Sequence, residues 1–204
     1  MYGAYHALET LSQLMQFSFE TQTYYIPFAP WNIYDFPRFA HRGLLIDSSR
    51  HFEPVATIMG VIDSVTYAKL NAIHWHLVDE QAFPFDSPSF PLLSEMGAYS
   101  NYERYTVDDV AAVVEYARQR GVRVMVEIGL FGLMFLCCSS TEYDDDLDTP
   151  GHAQSWCYGY PDICPSLACP MPLNPATNAT FDVLQGLFYD LTGGERGSGL
   201  FFEV

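Results

Sequence analysis

Three short apolar runs, at residues 43–47, 72–78 and 122–128, are separated by stretches with helical periodicity. Strand, helix, strand is the unit of a parallel sheet, because two parallel neighbours are joined only by a crossover that carries the chain back to the starting edge. The succession sets the class as α/β. It leaves open a doubly wound sheet or a (β/α)8 barrel, and periodicity does not choose between them. The first run is short and continuous, as expected of a strand buried on both faces. Between the first two runs, Val55, Ile58, Met59, Ile62, Val65 and Thr66 form one apolar face of a helix predicted to end near Leu70. A long loop with Pro84, Pro88 and Pro91 follows the second run. Thr106 then opens a helix, its hydroxyl capping the first turn while Asp109 reaches back. The core face of that helix is Val110, Val113, Val114 and Ala117, and Gly121 is its stop. Leu8, Leu11, Leu14 and Met15 predict a helix over 4–16, the aromatic stretch 24–39 reads as strand and loop, and Phe181, Leu184, Leu187, Phe188 and Leu191 predict a last helix.

The hydrophobic fraction of 49% with 17% charged residues is that of a chain with a core, and 204 residues is less than the about 250 that a barrel commonly uses. A net charge of −16 with only nine Lys and Arg excludes a nucleic-acid partner, whose phosphates require clustered cations. The acidity fits a neutral ligand such as a glycan or an acidic compartment, and its local run, Glu142 to Asp148, reads as a solvated loop. The longest apolar run, 128–138, has 11 residues against the about 20 that span a membrane, so no membrane span is expected. No basic-then-apolar leader opens the sequence, which reads as a soluble chain whose start is missing. The five cysteines, at 137, 138, 157, 164 and 169, show no paired zinc-type spacing, and their odd number leaves at least one without an intrachain partner. Asn178-Ala179-Thr180 is a glycosylation sequon if the chain enters the secretory pathway.

Parallel α/β proteins bind ligands at the C-terminal ends of their strands. Polar clusters stand there three times: Asp47, Arg50 and His51; His74, His76, Asp79 and Glu80; and, beyond an interruption, Asp148 and His152. Strand alternation sends His74 and His76 to one face, where with Asp79 or His152 they make a candidate zinc set. The preferred reading is a pair of hydrogen-bonded core histidines, since no further ligand cluster stands near the other strands.

The stretches His41 to His51, Lys69 to Asp79 and Asp148-Thr149-Pro150-Gly151-His152 resemble successive signatures of the family 20 glycoside hydrolases, the β-N-acetylhexosaminidases, in their eukaryotic branch. The resemblance implies a partial (β/α)8 barrel of about three βα units over 37–204, preceded over 1–36 by the end of a small α/β domain. It implies release of terminal N-acetylhexosamine from glycans without a cofactor or metal, the substrate's own acetamido oxygen attacking the anomeric carbon. Arg50 would bind sugar hydroxyls, Asp79 and His152 would form a supporting pair beside Asp148, and Trp156 would wall the pocket or pack in the core. A secretory, lysosomal, vacuolar or extracellular setting and a homodimer are further implications for a full-length protein.

Two departures stand out. The family's Gly-Gly-Asp-Glu, which bears the catalytic acid, is absent, since Gly193-Gly194-Glu195-Arg196 lacks the Asp and follows directly on a helical face. The chain is therefore expected to be inactive by itself, and Cys169, whose family counterpart pairs with a cysteine beyond that motif, is expected as a free thiol. Second, 19 residues, 129–147, separate Ile128 from Asp148 where the family reads Glu-Ile-Asp without a break. The insert is either a loop or an in-frame unspliced intron, the latter preferred because its removal restores Glu-Ile-Asp. A glycan-binding protein without catalysis is the rival reading, and a metal-dependent barrel hydrolase a more distant one.

Overall fold

The computed structural model describes residues 2–79, 81–129 and 178–194. Helix α1 (Tyr2–Leu14) leads into an antiparallel hairpin of β1 (Gln16–Ser18) and β2 (Thr23–Tyr25). An extended stretch then reaches β3 (Gly43–Asp47), followed by α2 (Val55–Tyr67), β4 (Ala72–Val78), α3 (Pro91–Gly97), α4 (Val107–Gln119), β5 (Arg123–Ile128) and α5 (Asn178–Leu191). Strands β3, β4 and β5 form a parallel sheet in sequence order, with Gly43 opposite Ala72 and Ala72 opposite Arg123. The expected parallel pairing is present.

Alternation along the strands builds the core. Ile46, Ile73, Trp75, Leu77 and Val124 join Ile58, Ile62 and Val65 of α2 and Val110, Val113 and Ala117 of α4 in one buried cluster. Trp75 sits at its centre, edge-on to the Tyr105 ring, with its indole N–H donating to Ser48 Oγ at 2.9 Å. Tyr105 in turn stacks on Phe52 and donates its hydroxyl to the Glu53 carbonyl, and burial pushes its phenol up to about 12. These contacts fix the loop after β3 against the core.

Both crossover helices stop by the same device. At the end of α4, Gly121 takes φ +74° while its N–H bonds Arg118 O and the N–H of Val122 bonds Ala117 O. At the end of α2, Lys69 takes φ +57° and the corresponding bonds run from Lys69 to Thr66 and from Leu70 to Val65. The second stop is a lysine in a glycine's conformation, so α2 ends at Tyr67, short of the Leu70 that periodicity suggests. Lys69 is held by its ammonium, which meets Asp35 at 2.8 Å and Thr10 at 2.5 Å and so ties α1 and the extended stretch to the start of β4.

Several expectations are corrected. Strand β3 is not buried on both faces: Leu44 and Leu45 are 44% and 53% exposed, because β3 is at an edge of the described sheet with no described element over them. Helix α1 runs two residues earlier than 4–16, and Leu8, Leu11 and Met15 stay exposed for the same lack of cover. The loop after β4 contains the short helix α3, which Pro91 starts rather than prevents, since the first turn needs no proline N–H. In α5 the buried face is Thr180, Val183, Leu187, Asp190 and Leu191, while Phe181 and Phe188 are exposed. The face is turned because Asp190 accepts hydrogen bonds from the Ser89 amide and from the hydroxyls of Ser87 and Ser89 in the loop after β4. A polar staple there outranks apolar spacing.

The Thr106 cap forms as expected: its hydroxyl accepts from the Asp109 amide at 3.1 Å, and the Asp109 carboxylate accepts from the Thr106 amide at 2.9 Å. Replacing Thr106 with Ala should lower unfolding free energy by about 1 kcal/mol in urea titration with an unchanged slope. A loss below about 0.3 kcal/mol would show the cap to be dispensable.

Candidate active site

The chain leaves β3 through a tight turn. The Asp47 carboxylate accepts from the amides of Ser49 and Arg50, both at 3.1 Å, and from Arg50 Nη1 at 2.8 Å. Burial works to raise the Asp47 carboxyl, but the Arg50 amide and guanidinium outweigh it and hold it below the usual aspartate range. Ser48 and Ser49 are fully buried beneath the turn, Ser48 N–H donating to His76 O at 3.1 Å and Ser49 Oγ to Ala82 O at 3.0 Å. The turn is thus sewn to the end of β4, and its exposed product is the Arg50 guanidinium.

At the end of β4 the pairing with β5 shifts register between His76 and Val78. In a regular strand, residues i and i+3 point to opposite faces. The irregularity is of the kind that re-aims side chains, and here His76 Nε2 meets Asp79 Oδ2 at 3.0 Å. The same oxygen receives Arg50 Nη2 at 2.7 Å. Asp79 is 5% exposed, so this carboxylate is buried with a cation and an imidazole against it.

The third strand contributes Glu127, directly opposite His76 in the β4–β5 register. Its Oε2 meets His76 Nδ1 at 3.0 Å and His74 Nε2 at 2.5 Å. Just beyond β5, the Gly129 amide donates to Val78 O at 2.7 Å. A Cβ at Gly129 would lie 2.7 Å from Asp79 Cγ and Oδ1, so this backbone leaves room for no side chain there. The result is one continuous polar chain from Asp47 through Arg50, Asp79, His76 and Glu127 to His74, joining the ends of all three strands.

Of the residues singled out in the sequence, Arg50 and Asp79 are brought together and His51 lies exposed. Asn178 opens α5 on the surface, with Thr180 of the sequon buried at 1%. Asp148, His152, Trp156, Glu80 and the five cysteines lie outside the described residues, as does the insert beyond Gly129. His74 and His76 do share a face, and what they share there is the Glu127 carboxylate. Among the described residues no group of three or more His, Cys, Asp or Glu is placed to hold a metal ion, and no helix is long and apolar enough to cross a membrane. Sequence reading missed Glu127 and Gly129. A carboxylate near the C-terminal end of an apolar run was the available signal for the first.

The depressed Asp47 carboxyl makes an acid-range prediction. A folded-state value below the ordinary aspartate 3.8 adds stability that is present above that pH and lost as pH falls through the folded value. Asp47→Asn should therefore be less stable than wild type at pH 6, with the difference shrinking below about pH 4, in denaturant titrations at both ends. A difference independent of pH would refute the ion-paired assignment.

Residues 39–134 match the catalytic domain of glycosyl hydrolase family 20. The chain is 47% identical over 191 residues to Beta-hexosaminidase 1 of Arabidopsis thaliana, covering 94% of this chain and 32% of that protein. It is 40% identical over 200 residues to the human Beta-hexosaminidase subunit beta, again over 94% of this chain and 32% of the relative. Among solved structures, the chitobiase of Flavobacterium johnsoniae superposes with a TM-score of 0.71 at 31% identity, covering 93% of this chain and 26% of that one. The chain thus spans about a third of the length of the curated relatives it matches. With the three-stranded parallel frame and its strand-end polar network, these matches establish that the chain belongs to glycosyl hydrolase family 20.

Proposed function

We propose that this chain carries one side of the sugar-binding site of a β-N-acetylhexosaminidase, on the first three βα units of a (β/α)8 barrel. Residues 37–204 would be the barrel portion, behind the end of a small α/β domain at 1–36. The observation that carries the reading is the network joining all three strand ends through Arg50, Asp79, His76 and Glu127. Ligands of parallel α/β proteins bind at that end of the sheet. A half-exposed guanidinium fork suits the paired oxygens of a sugar, and the chain's acidity suits a neutral glycan rather than a polyanion.

In this reading Arg50 binds hydroxyls of a terminal N-acetylhexosamine, Asp79 pairs with His152 to support the acid, Asp148 stands beside them and Trp156 walls the pocket. Hydrolysis would be substrate-assisted, with the acetamido oxygen as nucleophile. The protein would work without a cofactor in the secretory pathway, a lysosome, a vacuole or outside the cell, with Asn178 glycosylated and a homodimer as its assembly. The Asp-Glu pair that orients the acetamido group and protonates the leaving oxygen is not among these 204 residues. The second reading is glycan binding without catalysis.

The insert is the other defect. Asp148 directly after Ile128 would bring a Cβ to within 2.7 Å of the Asp79 carboxylate, so joining them requires that carboxylate or the backbone to shift. A displacement of about 1 Å near a reacting centre costs about 10² in rate, and an absent general acid about 10² to 10⁴. The chain should release no nitrophenol from a chromogenic N-acetylglucosaminide. Extending it through a Gly-Gly-Asp-Glu strand should give poor activity, deleting 129–147 from the extended protein should restore it, and Asp79→Asn should lower it again. Full activity with the insert present would make the insert a tolerated loop. Sugar binding with no hydrolysis in any form would establish the second reading.

A further inference from the structure

Asp79 does not orient itself. Its Oδ2 takes Arg50 Nη2 at 2.7 Å and His76 Nε2 at 3.0 Å, and its Oδ1 lies against Gly129. Arg50 is a long side chain, and half of it is in solvent. His76 is different: its ring is buried, on the central strand, and both of its nitrogens face carboxylates, Asp79 on one side and Glu127 at 3.0 Å on the other. Glu127 itself is braced by His74 at 2.5 Å. A ring held at both nitrogens cannot flip without breaking two contacts, and a buried ring that orients a carboxylate fixes where that carboxylate's remaining lone pairs point.

We propose that His76 is a positioning residue of the site: Glu127 fixes the ring through Nδ1, and Nε2 holds Asp79 in the orientation that the sugar site uses. This rests on the sugar-site reading above. Among the described residues, the charged and titratable groups around His76 are His74 on β4 and Asp79 just after it, Glu127 on β5, and Arg50 with Asp47 from the end of β3. Each of them is in the chain of contacts, and the direct side-chain link from His76 toward Arg50 runs through Asp79 Oδ2.

The two ring nitrogens can be separated chemically. A Gln amide at 76 places its nitrogen near the Nε2 position and an Asn amide near Nδ1, so His76→Gln retains the hold on Asp79 and His76→Asn does not. In the purified 204-residue chain, titrated with N-acetylglucosamine, His76→Asn should weaken binding about tenfold or more, the loss expected for a hydrogen bond to a charged group, while His76→Gln should stay within about threefold of wild type. Equal losses in both, or none in either, would reduce His76 to a space-filling residue and overturn the proposal. Independently, the ring N–H resonance assigned to Nδ1 in ¹⁵N-histidine-labelled chain should lie downfield and move upfield in Glu127→Gln. A resonance indifferent to that substitution overturns the Glu127 part. A wild-type chain that does not bind the sugar at all overturns the sugar-site reading, and the Nδ1 resonance still decides the positioning.

Discussion

A carboxylate out of water is the constraint around which the rest of the molecule is arranged. Asp79 is 5% exposed, and removing an ion from water costs several kcal/mol unless charge and hydrogen bonds replace the solvent. Two of its replacements come from different strand ends: the guanidinium of Arg50 from β3 and the imidazole of His76 from β4 itself. Each is fixed in turn, Arg50 by Asp47 and His76 by Glu127. The carboxylate is tolerable only where three parallel strands end at the same level. The core contacts of Trp75 and Tyr105 that seat the turn after β3 therefore serve the site as much as the fold.

The fold's main features were legible because they rest on local chemistry. Thr106 and Asp109 can make a capping box with no outside help, and Gly121 supplies a left-handed stop for the same reason. Lys69 performs the same stop as Gly121 and was not legible, since what holds a lysine there is its ammonium against Asp35 and Thr10, remote in sequence. The last helix was legible as α5, but the burial of Asp190 on it was not, since that side chain is bound to Ser87 and Ser89, about a hundred residues away. Apolar periodicity says which face is greasy. It does not say where a distant serine will wait.

The site follows the same division. Arg50 and Asp79 stood out as polar residues at strand ends, and alternation correctly put His74 and His76 together. Alternation gives a face but not a neighbour, and only the β4–β5 register reveals that Glu127 lies opposite His76. The register shift between His76 and Val78, which accompanies the contact of residues three apart, has no sequence signature here. The chain spans about a third of the length of its curated relatives, and the network is continuous within it, from Asp47 to His74.

The central claim is that Arg50 and Asp79 act as one unit rather than as two polar residues near each other. A double-mutant cycle on unfolding free energy, with Arg50→Gln, Asp79→Asn and the double variant, measures this directly. Asp79 is buried but the Arg50 end is half in solvent and partly screened. The account predicts a coupling of about 1 kcal/mol, the double variant losing less than the two single losses together. Losses that add to within about 0.3 kcal/mol would contradict it.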